Sequence, residues 1–191
     1  MEGYSLVNSE VFTENNPNTP VYYLYGDASK EKGKRNIDRL VKKWWESEGK
    51  ELDFEYALFM EWDVLFDEKI ENIFSEDSDF EVKTLIQDGS GWIGFRDRRK
   101  ILSEFKTLVG VGPLCLFRIS RKCLEVIFNR KNIDALYAKD MAAGLRFGSL
   151  INSFSFQIKE LDNIKGVDWG GENKVVKGKG VWHPVKNVDF S

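Results

Sequence analysis

The pattern of apolar and polar positions is sharpest between Asn36 and Glu46. There Ile37, Leu40, Val41, Trp44 and Trp45 recur at i, i+3, i+4, i+7 and i+8. That spacing predicts an amphipathic helix with one apolar stripe facing a core. Arg39, Lys42 and Lys43 lie off the stripe and are expected in solvent. Trp44 and Trp45 lie on it, which favours core packing over a sugar-stacking platform. Two apolar runs flank this helix. Val21 to Tyr25 reads as a short strand stopped by Gly26-Asp27. Phe54 to Leu65, F-E-Y-A-L-F-M-E-W-D-V-L, reads as a longer one that ends in Glu61 and Asp63 with Trp62 between them. Strand, helix and strand in this order predict a βαβ unit, whose parallel strands are buried on both faces.

The remaining pattern is shorter in period. Residues 4 to 12 suggest a short strand that breaks at Asn15-Asn16-Pro17-Asn18, a cluster with turn chemistry. Residues 68 to 80 carry five acids and predict a short helix followed by a solvated turn. Glu81 to Ile86 predicts a strand. Gly89-Ser90-Gly91 predicts a flexible linker or lid, with Trp92 and Phe95 placed to close over a ligand. Ile101 to Phe105 predicts a short helix behind the basic run Arg96 to Lys100. Gly110-Val111-Gly112-Pro113 predicts a tight loop before a strand at Leu114 to Ile119. Ser120 is placed to cap a helix from Arg121 to Phe128. A long helix is expected from Asp134 to Asn152, with Asp140 and Gly144 one turn apart on one face. Phe154 to Ile158 alternates like a strand.

Composition narrows the class. The chain has 191 residues, 42% of them apolar and 14% aromatic, enough for one domain with a buried core. A net charge of -3 argues against a protein that coats nucleic acid. Two cysteines, Cys115 and Cys123, are too few for a disulfide framework and are expected as reduced thiols. No apolar run reaches the roughly 20 residues of a spanning helix. The start, M-E-G-Y-S-L-V-N-S-E, lacks a signal peptide's basic flank and apolar block. A cytoplasmic protein without a transmembrane segment is the expectation.

The chemistry centres on Glu61 and Asp63. In extended backbone, residues i and i+2 point to the same side, so both carboxylates are expected to face one ion. The carboxyl end of a strand is where open α/β sheets bind ligands. Hard cations such as Mg²⁺ and Mn²⁺ take carboxylate oxygens and leave positions for phosphate. Two solvated acids at a strand end are the alternative. Asp27 ends a strand too, as a ligand contact or an ordinary turn residue. The tail holds His183, the one histidine of the chain, followed by Pro184 and Lys186 in a segment rich in glycine and lysine.

Three patches together resemble GT-A-type glycosyltransferases, in particular small bacterial and large-virus enzymes with an E-W-D metal motif. The first is Y-Y-L-Y-G-D, a W-W-containing helix and Y-A-L-F-M-E-W-D-V-L-F. The second is G-V-G-P-L-C-L-F-R-I-S-R-K-C-L with G-L-R-F-G-S-L-I-N. The third is the C-terminal G-V-W-H-P-V-K. The resemblance implies an α/β fold: one GT-A-like, Rossmann-like domain over residues 1–191, with a central mixed, mostly parallel sheet flanked by helices. It implies an abbreviated nucleotide-binding half at 1–66, and an acceptor half with a metal and diphosphate tail at 67–191, alone or as one domain of a longer protein. It implies transfer of a sugar from a nucleoside-diphosphate sugar, preferably of UDP, to an acceptor hydroxyl on a glycan or glycoprotein. Asp63 and His183 would bind Mn²⁺ or Mg²⁺, and Glu61 would hold the ribose or a metal-bound water. Lys186 would pair with the diphosphate and Asp27 would lie near the nucleotide. Asp140 would face the acceptor as catalytic base, substituting for the acid expected directly before L-R, where this chain has Gly144. If the enzyme is viral, the expected location is the host cytoplasm. The competing class is a non-catalytic module binding a nucleotide sugar or carbohydrate. A metal phosphohydrolase ranks below both, since it would need more converging histidines and acids.

Overall fold

The computed structural model describes residues 12–21, 37–61, 64–75, 77–161, 164, 166–167 and 180–183. The Val21–Tyr25 strand therefore falls almost wholly outside the described residues, as does the expected strand before residue 12. Residues 12–15 form a helical turn, α1, and Pro17-Asn18 turn as expected.

Helix α2 spans Ile37–Ser47, close to the apolar stripe that predicts it. Val41, Trp44 and Trp45 are buried, so both tryptophans are core residues. Two basic residues off the stripe are not solvated. Lys42 Nζ is held by Glu46 at 2.5 Å and Asp134 at 2.8 Å. Arg39 donates to the Tyr137 carbonyl at 2.7 Å. Their stems cover apolar surface while their heads find acceptors, as long basic side chains do at an element's edge.

Strand β1 (Tyr56–Met60) leads to β2 (Leu65–Asp67), α3 (Ile70–Ile73) and β3 (Phe80–Gln87). After a 3₁₀ helix at Ile93–Lys100 comes β4 (Val109–Ser120), then α4 (Arg121–Phe128), α5 (Ile133–Tyr137) and α6 (Ala143–Asn152). The last elements are β5 (Ile158–Glu160), β6 (Gly166–Val167) and β7 (Gly180–His183). One open sheet has the order β1-β4-β3-β5 and a smaller one the order β2-β7-β6. The molecule is thus α/β with a mixed open sheet flanked by helices. It departs from the mostly parallel sheet expected: among the described strands, β1–β4, β3–β4 and β2–β7 are antiparallel, and only β3–β5 and β6–β7 are parallel. Apolar alternation marks a strand but not its partner's direction, which long-range packing decides.

Alternate residues of the central strands feed two cores. Ala57, Phe59, Phe117 and Ile119 face the main cluster with α2, α4, α5 and α6. Leu58, Met60 and Leu116 face a second cluster that includes Phe12, Val64, Phe66 and Val181. Phe117 is the hub of the first, stacked on Phe59 at 5.0 Å and meeting Phe147 edge-on at 5.8 Å. Such aromatic pairs add about 0.5–1.5 kcal/mol each beyond area burial.

The expected Gly110–Pro113 loop is part of β4. Its pairing with β3 shifts register between Val82 and Thr84, opposite Phe117 and Gly112. Pro113, which follows a cis peptide bond, sits in this bulge, where a missing N–H costs no ladder bond. The lid expectation also changes. Gly89 and Gly91 turn with φ of 93° and 78°, but Phe95 is buried and packs edge-on against Trp92 at 5.5 Å. The Trp92 ring lies so close to Gly110 that a Cβ there would meet it at 2.6 Å. Both aromatics are core wedges. The basic run is likewise inside the 3₁₀ helix, and residues 101–104 are turns instead of the expected helix.

Ser120 caps α4 as predicted, its Oγ accepting from the Cys123 N–H at 3.1 Å. Neither Cys115 nor Cys123 is joined in a disulfide and both are buried, and burial pushes the Cys123 thiol far up from its ordinary value. A protonated, enclosed thiol is a poor nucleophile. A thiol reagent at pH 8 is expected to leave both cysteines unmodified in the native protein and to label both in denaturant. Rapid native labelling would contradict the packing of β4 and α4.

Candidate metal and nucleotide site

Glu61 follows the last residue of β1 directly, so the end-of-strand placement read from the sequence is correct. Its N–H donates to the Cys115 carbonyl at 2.7 Å, and its own carbonyl accepts from the Val64 N–H at 3.1 Å. The second bond spans i to i+3, the signature of a reverse turn. Strand β1 ends at Met60 and β2 begins at Leu65, and the same-side orientation expected of residues 61 and 63 falls on a residue outside those described. The Cys115 carbonyl comes from the bulged stretch of β4. Bulges of this kind occur next to ligand sites because they re-aim the chain locally.

The second sheet brings the tail to this turn. Leu65 pairs with Trp182, Phe66 with Val181 and Asp67 with Gly180, antiparallel. Strand β7 ends at His183, one residue past the Leu65–Trp182 pair. His183 pairs with Val167 of β6. The backbone thus brings the end of β7, more than a hundred residues away in sequence, beside the start of β2 just after β1. Asp27, Asp63 and Lys186 lie outside the described residues. Glu61 is half-buried there. Among the described residues no group of three or more His, Cys, Asp or Glu is placed to hold a metal ion. Of the residues the resemblance implies for a cation and nucleotide, Glu61 and the backbone of His183 are thus the described ones.

Asp140 is placed differently from expectation. The long helix of 134–152 is two helices, α5 and α6, with residues 138–142 between them. Asp140 lies in that link, exposed, and its carbonyl accepts from Lys100 Nζ. It is not one helical turn from Gly144, and Gly144 leaves no gap. A Cβ at Gly144 would come 2.2 Å from the Val111 carbonyl oxygen, and one at Gly148 would come 2.6 Å from that of Val109. Helix α6 sits directly on β4, which explains a glycine where the resemblance leads one to expect an acid.

Arg146, in the first turns of α6, is completely buried and paired with Asp38, whose carboxylate receives Nε at 2.7 Å and Nη2 at 2.8 Å. Burial pushes the Asp38 carboxyl above its ordinary value, against the pull of the Arg146 hydrogen bonds and charge. The guanidinium also lies 4.9 Å over the Tyr137 ring. The available signal was an arginine inside the apolar run G-L-R-F-G-S-L-I, and Asp38 gave none, since acids are ordinary in a helix's first turn. A second interior pair, Glu81 and Arg118 at 2.9 Å, crosses β3 and β4 at paired positions.

No protein-family model matches the chain, and no curated protein sequence matches it either. Among the described residues no helix is long and apolar enough to cross a membrane.

Proposed function

We propose that this chain is a metal-dependent glycosyltransferase of GT-A type, moving a sugar from a nucleoside-diphosphate sugar, preferably of UDP, to an acceptor hydroxyl. The observation that supports this reading is the pairing of β2 with β7, which carries the strand ending in His183 to the turn after Glu61. In this reading Asp63 and His183 hold Mn²⁺ or Mg²⁺, Glu61 holds the ribose or a metal-bound water, Lys186 meets the diphosphate and Asp27 lies near the nucleotide. The bound cation would neutralise charge that develops on the leaving diphosphate.

A specific observation favours a second reading, a nucleotide-sugar-binding module without turnover. It is the geometry around the expected base: Gly144 is pressed against Val111, and Asp140 lies exposed in the link before α6 instead of within the helix. Release of UDP from UDP-sugars in the presence of Mn²⁺ separates the two. Turnover supports the transferase, and saturable binding without turnover supports the module.

Both readings share the site, which thermal shift tests. A ligand at about 100 times its Kd stabilises the native state by about 2.7 kcal/mol, so UDP with Mn²⁺ is expected to raise the Tm by several degrees. Asp63→Ala should abolish the Mn²⁺-dependent part, and His183→Ala should weaken it less. Unchanged shifts in both variants would remove the site.

A further inference from the structure

The 3₁₀ helix Ile93–Lys100 carries an exposed stripe that the candidate site does not use. A 3₁₀ helix has about 3 residues per turn, so positions three apart eclipse. Ile93, Arg96 and Arg99 follow that spacing, and Leu102 lies in the turn just past the helix end. All four are exposed. Ile93 and Leu102 are the most exposed large apolar residues described, at 64% and 53%. The opposite side is anchored: Phe95, Ile101 and Phe105 are buried in the main core. The stripe is therefore a fixed surface, with two apolar tips bracketing two guanidinium groups.

Among the described residues its two arginines have no ion-pair partner. The nearby acids are engaged by other cations: Asp97 with Lys100 at 2.7 Å, Asp88 with Arg98 at 3.5 Å, and Glu104 with Arg130 and Lys139 at 3.4 and 3.2 Å. Arg96 and Arg99 have no such partner among the described residues. A chain of net charge -3 thus keeps an isolated positive, partly apolar strip on an anchored segment.

We propose that this stripe docks the protein on an anionic lipid surface. Arginines near such a surface are attracted to its headgroups, while exposed aliphatic tips gain by entering the boundary between headgroups and acyl chains. The apolar brackets decide the partner class. A nucleic acid would reward the two arginines but has no use for Ile93 and Leu102, and the stripe offers no aromatic side chain on which bases could stack.

Flotation with vesicles tests this directly. The intact chain is expected to bind vesicles of equal parts phosphatidylcholine and phosphatidylserine, and not pure phosphatidylcholine, with binding falling as salt rises. Arg96→Glu with Arg99→Glu should abolish binding, since each lost basic contact alone lowers partitioning about fivefold. Ile93→Ser with Leu102→Ser should reduce binding at constant salt while leaving the native Tm unchanged, because all four side chains are exposed. Three results would overturn the proposal: no binding to the anionic vesicles, binding that survives the arginine substitutions, or binding indifferent to loss of the aliphatic tips. The last would mark a contact for a purely polyanionic partner.

Discussion

Replacing Asp38 with asparagine is expected to destabilise the protein by on the order of 3–5 kcal/mol, because it strands a buried guanidinium without its counter-charge. For a domain of this size that corresponds to a fall in Tm on the order of 10 °C. The magnitude follows from the environment. Asp38 and Arg146 are both completely buried, and two charge-assisted hydrogen bonds join them across the α2–α6 packing. Arg146 Nη1 also donates to the Lys139 carbonyl at 2.9 Å, so the same side chain ties the α5–α6 link. Truncating one partner removes these bonds and leaves the other desolvated. Replacing both members, as in Asp38→Leu with Arg146→Met, removes the stranded charge as well. The double variant should therefore lose much less than the sum of the single losses. Urea unfolding of the two single variants and the double variant measures the coupling. Single variants within about 0.5 kcal/mol of the parent would mean that the pair is solvated.

The features legible in the sequence are those fixed locally. The stripe from Ile37 to Trp45 reports its own helix because burial of one face is written into a spacing of three and four. Ser120 reports a helix start because its hydroxyl serves an amide three residues on. Glu61 reports a strand end because the apolar run stops there. Features fixed by distant partners were not legible. Nothing within Leu114–Ile119 states that β4 runs antiparallel to both neighbours, or that Pro113 is absorbed by a bulge. The break between α5 and α6 is hidden by residues that all tolerate helix. The meeting of β2 and β7 depends on a register between segments far apart in the chain, so the sequence can nominate His183 beside the acidic motif only through resemblance. The same limit explains Asp140: its assignment rested on a continuous helix, and the link at 138–142 removed the geometry that motivated it.

Gly144→Asp carries the other large expected effect and bears on the functional reading. Gly144 lies in the first turn of α6, where propensity alone would make replacing glycine mildly favourable. Here the sign is expected to reverse. The new Cβ would lie 2.2 Å from the Val111 carbonyl oxygen, which is backbone of the central strand and cannot swing aside, and 3.3 Å from the Trp92 ring. Helix α6 would have to lift from β4, dragging Leu145, Phe147 and the buried Arg146 with it. Overpacking of this kind costs about 1–3 kcal/mol in ordinary cores, and a contact with rigid backbone belongs at or above the upper end. Gly144→Ala isolates this steric part, and aspartate adds an unpaired carboxylate facing a carbonyl. Denaturant midpoints should therefore fall in the order parent, alanine, aspartate. An aspartate variant as stable as the parent would show that α6 stands off the strand. That outcome would reopen this position to an acid serving the acceptor. A strong loss instead means that position 144 cannot carry an acid while α6 stays seated on the sheet, so a transferase reading would have to find its base elsewhere.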